Sequence, residues 1–483
     1  MMVARPSTAG ALDVQFVDYR ETAPAAVKAD TFANQPSQHL LAGTPGTVAG
    51  LALAHQQFGS GTLKWEQLVM PAAKLADEGF VISPALAASI NNGLKAKSTP
   101  EAFRDLYGGP HGSSQVAGRQ MRLPELAAVL RRIAEQGPAG FYEGETARHI
   151  VAEMQRGGGL ITADDLRKYE AKRRPPLVGS FKDHTIYAPP PPSSGGVALL
   201  QMLNMLETFD LKPADRWSPE TIHLMVEAMR RAFADRARYI GDPDFGQIPV
   251  AKLIDKAYAR SMADSIDRGR ASRSDEIAPW VALPPENGGQ TTHFSVVDAN
   301  GMAVSNTYTL EQSFGGKVVV QGAGFLLNNE MGDFNPRPQQ TTRTGQIGTP
   351  PNLAIGGKRP LSSMTPTIVA KDGGVVLVTG SPGGRTIINT VTQVILNRLA
   401  FEMPLRQAVD APRLHHQWLP DSVRIEKAFA EQHPQMLEAL KMLGHRVDGN
   451  HVARQGDAHS IEARAGKKTG VADRRIGGSA AGY

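Results

Sequence analysis

The stretch "TTHFSVVDANGMAVSNTYTL", residues 291–310, decides the fold of this chain. Apolar and polar residues alternate on both sides of "DANG", a pattern that is typical of a β-hairpin. If the turn centres on Asn300, the antiparallel register pairs Thr291 with Thr309. The pattern therefore predicts two hydroxyl groups that face each other where the hairpin opens.

Such a threonine pair has a chemical and an ordinary interpretation. A threonine hydroxyl is a weak nucleophile unless a neighbouring base accepts its proton. His293, two residues along on the same strand face, is one candidate base, although strand histidines are more often structural. Cleavage of the chain before Thr291 would free a second candidate, an α-amine with a pKa of about 8. Because cross-strand threonine pairs also occur in ordinary sheets, the hairpin alone leaves both interpretations open.

The composition is that of a large globular protein. The 483 residues are 41% hydrophobic and 20% charged, and no apolar run approaches the roughly 18 residues of a membrane helix. The net charge of +5 comes from scattered lysines and arginines, which gives little support to nucleic-acid binding. The chain has no cysteine, which excludes disulfides, thiolate metal sites and a cysteine nucleophile.

Helical patterns dominate the front half and strand patterns the back half, which predicts an α+β fold. The clearest helix is "SPETIHLMVEAMRRAFADRARYIG", residues 218–241, with Ser218 as its N-cap. Residues 1–20 predict a hairpin, and strands are predicted in "KVVVQGAGFLLNN" and "TPTIVAKDGGVVLVTGS". Between the halves, "LPPENGGQ" at residues 283–290 is either an exposed linker or a site of cleavage.

Short motifs along the whole chain carry a resemblance to a known family. The front half contains "DYRETAP", "AGTPGTVAG", "GPAGFYEG", "GGLITADDL", "PPPPSSGG" and "GDPDF". The back half contains "TTHFSVVD", "NTYTLEQSFG", "FLLNNEMGDF", "KRPLSSMTPTIV", "TGSPGG" and "APRLHHQWLP". In this order they resemble the γ-glutamyltranspeptidases, which are N-terminal-nucleophile hydrolases. The resemblance implies a four-layer αββα sandwich that both halves build as one domain.

The resemblance also implies that the protein cuts itself between Gln290 and Thr291. The products would be a large subunit, residues 1–290, and a small subunit, residues 291–483. Thr291 would then accept the γ-glutamyl group of glutathione or a related compound and pass it to water, an amino acid or a peptide. Since the family has a signal sequence and a helix-rich segment before the first hairpin, we expect an N-terminal truncation here and an exported, periplasmic or secreted, full-length parent.

Catalytic roles follow from the resemblance for three further residues. Thr309 matches the threonine that hydrogen-bonds the nucleophile, and Gly383 and Gly384 match the glycines of the oxyanion hole. A glycine-rich turn can also hold phosphate, but "GSPGGR" lacks the spacing and the Lys-Ser/Thr ending of a nucleotide-binding loop. The resemblance implies no cofactor and no metal, and the adjacent histidines of "HHQW" form a weak metal motif on their own.

Substrate-binding roles follow in the same way. Arg20 matches the residue that binds the α-carboxylate, for which its planar fork is suited, and Ser362 and Ser363 match two donors to the same group. Three acidic residues match positions around the α-ammonium: Glu311, Glu330 and Asp333. Residues 335–358 have the length of the family's lid, where this chain has Thr344 in place of the tyrosine of some members.

Two other functions remain as alternatives. A cephalosporin or glutaryl acylase of the same superfamily would share the nucleophile, but its acyl group lacks the α-amine that the three acidic residues would bind. The second alternative is an inactive, unprocessed homologue or truncated fragment that binds peptides without turnover.

Overall fold

The computed structural model describes residues 1–7, 10–34, 36–278, 291–341, 348–464 and 466–483. Within these ranges the strands are β1 (Met2–Pro6), β2 (Leu12–Asp18), β3 (Phe80–Val81), β4 (Gln120–Met121), β5 (Lys172–Arg174), β6 (Leu177–Phe181), β7 (His184–Ala188), β8 (Thr292–Val297), β9 (Ala303–Tyr308), β10 (Val319–Val320), β11 (Phe325–Leu326), β12 (Thr367–Lys371), β13 (Gly374–Thr379), β14 (Leu414–His415), β15 (Arg424–Ile425), β16 (His459–Arg464) and β17 (Lys467–Ala472).

The helices lie on both sides of these strands. Within the same ranges they are α1 (Thr47–Phe58), α2 (Trp65–Glu78), α3 (Pro84–Leu94), α4 (Glu101–Tyr107), α5 (Pro124–Gln136), α6 (Ala139–Tyr142), α7 (Gly144–Gly157), α8 (Ala163–Arg167), α9 (Gly195–Leu206), α10 (Pro219–Tyr239), α11 (Val250–Leu253), α12 (Lys256–Asp264), α13 (Ser274–Ile277), α14 (Thr386–Leu399), α15 (Leu405–Asp410), α16 (Lys427–Gln432) and α17 (Pro434–Met442). In the part of the chain described, none of them combines the length and apolar character that a membrane crossing requires.

Two large sheets form the centre of the molecule. The first has the strand order β5-β2-β1-β9-β8 and the second β17-β16-β13-β12-β7-β6. Each sheet combines strands from before and after residue 291, because β1 pairs with β9 and β7 pairs with β12. The two halves of the chain are therefore interleaved.

The core is divided into layers by these sheets. Met2, Phe16, Ile368 and Val378 belong to one buried cluster, which packs the first sheet against the second. On the outer face of the second sheet, a larger cluster packs the strands against α9, α10 and α14. The outer face of the first sheet packs against α1. This order of helix, sheet, sheet and helix confirms the predicted αββα sandwich.

Some of the local predictions are confirmed and others are not. The Ser218 side chain accepts the N–H of Thr221 at 3.1 Å and caps α10 as expected. The hairpin of residues 1–20 is confirmed by β1 and β2. One other element differs, because "KVVVQGAGFLLNN" forms only the two-residue strands β10 and β11. The front half also contributes β6 and β7 to the second sheet, although its pattern predicts mainly helices.

Candidate active site

The hairpin of β8 and β9 carries the candidate nucleophile. Thr292 pairs with Tyr308, which confirms the predicted register, and one further step places the half-buried Thr291 opposite Thr309. Oγ1 of Thr309 accepts the backbone N–H of Glu311 at 2.8 Å. The register therefore brings the Thr309 hydroxyl across the hairpin from Thr291.

His293 has a structural role in the same hairpin. The Ser295 hydroxyl donates to the carbonyl of His459 at 3.0 Å, so it accepts from Nε2 of His293 at 3.1 Å. Nδ1 of His293 then accepts from the Thr307 hydroxyl at 2.8 Å. Burial lowers the pKa of His293 to about 3, so the ring is neutral near pH 7. Both ring nitrogens are committed to these contacts, which leaves the α-amine of a cleaved Thr291 as the better candidate base.

A glycine turn links β13 to α14 beside this hairpin. Gly383 has φ = 131° and Gly384 has φ = 56°, both in the region that favours glycine. A Cβ on Gly383 would lie 2.5 Å from Oγ1 of Thr386 and 3.1 Å from Cα of Gly456. The Ser305 hydroxyl of β9 donates to the last carbonyl of β13 at 3.0 Å. The turn therefore follows a strand that is hydrogen-bonded to the hairpin of Thr291. Its backbone conformation requires that residue 383 has no side chain.

A small cavity brings several of the predicted residues together. Its lining includes Arg20, Thr309 and Ser362. Among the described residues that line it, Thr291 and the two glycines of the turn are not included. The cavity therefore joins the second threonine to the predicted carboxylate-binding residues.

Arg20 is buried and surrounded by carboxyl groups. Its guanidinium pairs with Glu330, lies 2.5 Å from a carboxylate oxygen of Asp333, and lies 3.9 Å from Glu21. Burial opposes the charge of Arg20, but these carboxylates outweigh it and raise the pKa of the guanidinium above its usual range. The predicted carboxylate-binding residue and two of the acidic residues therefore form one ion cluster.

The carboxyl groups of this cluster outnumber its one guanidinium group. Burial raises the pKa of Glu330 well above its ordinary value, which Arg20 offsets only in part and Glu311 raises further. Burial likewise raises the pKa of Glu21 to about 7. Three carboxyl groups in the described structure thus surround Arg20: Glu21, Glu330 and Asp333. An arrangement of this kind favours a ligand that brings its own cation.

The two predicted serines are oriented by protein donors. Oγ of Ser362 accepts the N–H of Met364 at 3.0 Å, while its carbonyl accepts the N–H and the hydroxyl of Ser194 at 2.8 and 2.7 Å. Oγ of Ser363 accepts from Nη2 of Arg236 at 3.0 Å. Each serine hydroxyl therefore accepts from the protein and has its own hydrogen to donate to an anion.

Comparison with known proteins assigns this chain to a family. The sequence profile described as "Gamma-glutamyltranspeptidase" matches residues 2–483. The chain belongs to the gamma-glutamyltranspeptidase family. It is 43% identical over 441 residues to a "Glutathione hydrolase proenzyme" of Escherichia coli (strain K12), covering 89% of this chain and 75% of that protein. A Pseudomonas aeruginosa protein of the same name is 41% identical, with 90% and 78% covered.

Solved structures show the same fold. The crystal structure of a cephalosporin acylase from Bacillus halodurans superposes with a TM-score of 0.83 over 98% of this chain and 85% of that one. At 24% identity this likeness bears on the fold alone. The gamma-glutamyltranspeptidase membership rests on the sequence matches.

Two residues named in the predictions lie outside the described residues. They are Gln290 at the predicted cleavage site and Thr344 in the predicted lid. The two ends of the lid segment are described, and Asn335 donates its N–H to the carbonyl of Asn352 at 2.9 Å. The Asn352 side chain donates to the carbonyl of Asp333 at 2.7 Å. The base of this segment is therefore tied to the acidic side of the candidate pocket.

The "HHQW" histidines bind to protein groups. Nδ1 of His415 lies 2.7 Å from the amide nitrogen of Asn389, and Nε2 lies 2.9 Å from the Gln417 oxygen. Nε2 of His416 lies 3.2 Å from an Asp421 oxygen. Burial lowers the pKa of His415 to about 3 and that of His416 to about 4. Both rings are thus neutral members of the core near pH 7.

The sequence did not single out a second polar cluster. In the described part of the chain, ligand atoms of His223, Glu227 and His445 lie within 4.8 Å of one another. Nε2 of His223 donates to the carbonyl of Asp267 at 2.9 Å, so Nδ1 accepts from His445 at 2.7 Å. The Glu227 carboxylate pairs with two arginines of α10. These contacts account for the cluster as a hydrogen-bonded link between the two halves of the chain.

Neutral buried histidines make stability depend on pH. Because folding lowers the pKa of His415 to about 3, the unfolded chain binds its proton first as the pH falls below about 6.5. The contribution of His415 to the free energy of unfolding is therefore lost as pH decreases. We expect the stability of the wild type relative to His415→Gln to fall by about 2 kcal/mol between pH 7 and pH 5. Urea unfolding of both proteins at the two pH values measures this difference.

The wild type must be compared with His415→Gln because other groups change the free energy of unfolding with pH in the opposite direction. Folding raises the pKa of Glu21 and Glu330, so these carboxyl groups add stability as the pH falls. A stability difference between wild type and His415→Gln that is the same at both pH values would contradict the neutral assignment.

Several residues at the site were not identified from the sequence. Glu21 follows Arg20 directly in "DYRE", and its position beside a predicted residue was the available signal. Ser194 lies in the "PPPPSSGG" motif, which did not indicate its contact with Ser362. Arg236 had no such signal, because 127 residues separate it from Ser363. Its contact with Ser363 depends on the packing of α10 against the serine segment.

Proposed function

We propose that this chain is a self-processing enzyme that hydrolyses and transfers the γ-glutamyl group of glutathione and related compounds. The sequence relatives named as glutathione hydrolase proenzymes support this activity. The single observation that favours the γ-glutamyl group is the excess of carboxyl groups around Arg20, in contact with the cavity that contains Thr309.

A γ-glutamyl group fits this cluster because it is a zwitterion at its α-carbon. Its carboxylate would form an ion pair with the guanidinium of Arg20 and accept hydrogen bonds from Ser362 and Ser363. Its ammonium would take the carboxylates of Glu330 and Asp333, which Arg20 now neutralises. Binding would replace internal ion pairs by pairs with the ligand, so that Arg20, Glu330 and Asp333 each keep a partner of opposite charge.

Processing is proposed to begin at the peptide bond between Gln290 and Thr291. Oγ1 of Thr291 attacks the Gln290 carbonyl carbon, its proton passes to the Thr291 nitrogen as the C–N bond breaks, and the acyl group remains on the oxygen as an ester. Water hydrolyses this ester and leaves a carboxylate on Gln290 and a free α-amine on Thr291. The large chain 1–290 and the small chain 291–483 would stay together, because both contribute strands to both sheets.

Turnover is proposed to use the amine that processing creates. The α-amine of Thr291 accepts the proton of Oγ1, which bonds to the γ-carbonyl carbon of the substrate. The N–H groups of Gly383 and Gly384 stabilise the negative charge on the carbonyl oxygen. Collapse of this intermediate expels the leaving amine, which takes the proton. Water or an acceptor amine then attacks the ester and releases Thr291.

This proposal includes the location and the substrate partners that the family resemblance implies. The protein would act in the periplasm or outside the cell, where it would meet γ-glutamyl peptides and acceptor amino acids. No cofactor takes part in the steps above.

The γ-glutamyl assignment predicts a strong preference over glutaryl substrates. We expect kcat/KM for γ-glutamyl-p-nitroanilide to exceed that for glutaryl-p-nitroanilide by about 100-fold, because glutaryl leaves the acidic groups without an ammonium. Release of p-nitroaniline measures both reactions. In Asp333→Asn, the ratio of the kcat/KM values for the γ-glutamyl and glutaryl compounds is expected to decrease.

The alternatives give different results in the same assay. A faster reaction with the glutaryl compound would identify an acylase. A single chain of full length without activity on either compound would identify an unprocessed homologue.

A further inference from the structure

We propose that Arg236, a residue outside the predicted site, positions the serines that bind the α-carboxylate of the substrate. The inference rests on the proposed function, because it concerns how Ser362 and Ser363 meet a γ-glutamyl group. It adds to that function a residue of the large chain that controls selectivity for carboxylate-bearing acyl groups.

Arg236 reaches the serine segment from the last turn of α10 and is 7% exposed. Nε donates to the Ser194 hydroxyl at 2.8 Å, and Nη2 donates to the Ser363 hydroxyl at 3.0 Å. The Ser194 hydroxyl in turn donates to the carbonyl of Ser362 at 2.7 Å. One guanidinium thus holds Ser363 directly and Ser362 through Ser194.

These contacts fix the direction in which the serines donate. Since the oxygen of Ser363 accepts from Arg236, its hydrogen is directed away from the guanidinium and is available to an anion. The same holds for Ser362, whose oxygen accepts the N–H of Met364. Without Arg236, the Ser363 hydroxyl would be able to rotate and would donate to the substrate only part of the time.

An arginine is needed here for a geometric reason. Nε and Nη2 are two donors held at a fixed separation in one plane, so they bind two hydroxyl groups at once. A lysine at position 236 would keep the positive charge but would offer a single nitrogen on a flexible stem. The variant Arg236→Lys therefore removes the orientation and preserves the charge.

The charges at the pocket make the serines that Arg236 orients more important for binding the substrate carboxylate. Arg20 is already paired with Glu330 and Asp333, so an incoming carboxylate has to compete for it. Hydrogen bonds from Ser362 and Ser363 face no such competitor in the contacts described above. Their alignment by Arg236 thus determines how well the pocket retains the carboxylate.

The test compares three p-nitroanilides with processed wild type and with Arg236→Lys. The compounds carry γ-glutamyl, glutaryl, which lacks the ammonium, or 4-aminobutanoyl, which lacks the carboxylate. We expect kcat/KM to fall about ten-fold for the two compounds that carry a carboxylate, mainly through KM, and to stay within about two-fold for 4-aminobutanoyl. Equal losses on all three would overturn the inference and indicate a general structural role.

Two further variants complete the design. Arg238→Lys, an exposed arginine of the same helix, is the matched control and should change none of the three reactions. Ser363→Ala should show the same selectivity as Arg236→Lys, and the double variant should lose less than the product of the single losses. Full additivity would overturn the inference, as would a Ser363→Ala variant without the carboxylate selectivity.

The same data separate this inference from the proposed function. If wild type shows no preference for γ-glutamyl over 4-aminobutanoyl, the α-carboxylate site itself is wrong and both proposals fall. If wild type has that preference and Arg236→Lys retains it, only the role of Arg236 falls.

Discussion

Replacing Thr291 by Ala is expected to leave one uncleaved chain without γ-glutamyl hydrolase activity. The substitution removes the only oxygen that the proposed mechanism uses to attack both the Gln290 carbonyl and the substrate. The loss should reach the detection limit, because the residual binding groups supply no nucleophile of their own. Denaturing electrophoresis reports the cleavage, and release of p-nitroaniline from the γ-glutamyl compound reports the activity.

The matched control for this variant is Thr292→Ala. Thr292 is exposed and pairs with Tyr308, so its side chain points to the opposite face of β8 from that of Thr291. Cleavage and turnover should persist in the control. Two chains in Thr291→Ala, with a normal urea midpoint in both variants, would show that another group performs the cleavage.

Replacing Gly383 by Ala is expected to lower kcat by roughly 10²–10³ in the processed protein. The new Cβ would lie 2.5 Å from Oγ1 of Thr386 and 3.1 Å from Cα of Gly456, and φ = 131° is strained for alanine. The turn must therefore shift, and its N–H groups would move away from the carbonyl oxygen of the substrate. Because the acyl-binding groups lie elsewhere, KM should change much less than kcat.

Gly118→Ala is the control for the strain of an alanine at positive φ without a steric contact of its Cβ. Gly118 has φ = 86°, and a Cβ there would have no atom within 4 Å. This variant should lose some stability but keep its kcat. If Gly383→Ala also keeps its kcat once it is processed, the oxyanion role of the glycine turn is wrong.

The hairpin shows how far the sequence alone can go. Its alternation and turn fixed which residues pair, and the observed pairing of Thr292 with Tyr308 follows that register. A strand period of two leaves few choices once one turn is known, so the approach of Thr291 to Thr309 was predictable. The cap of α10 at Ser218 was predictable for a similar reason, since it depends only on neighbouring residues.

Contacts between distant segments were not predictable in the same way. The resemblance assigned Arg20 to a carboxylate and the acidic residues to an ammonium, but it did not indicate that Arg20 pairs with Glu330 and Asp333. That pairing depends on how residues more than 300 positions apart are packed. The same reason applies to Arg236, whose partners come from two segments that no local pattern connects to α10.

The strands of the front half show a different limit. β6 and β7 are short and lie among helical patterns, so their local sequence gives a weak signal. Their position is decided by pairing, because β7 joins β12 from the other half of the chain. Propensity is a weak guide where the partner strand decides.

N-terminal sequencing of the purified, active protein tests the central claim most directly. The account predicts two sequences in equal amounts, one of them beginning Thr-Thr-His at residue 291. An active protein that yields no sequence beginning at Thr291 would contradict it, because the proposed base exists only after that cleavage.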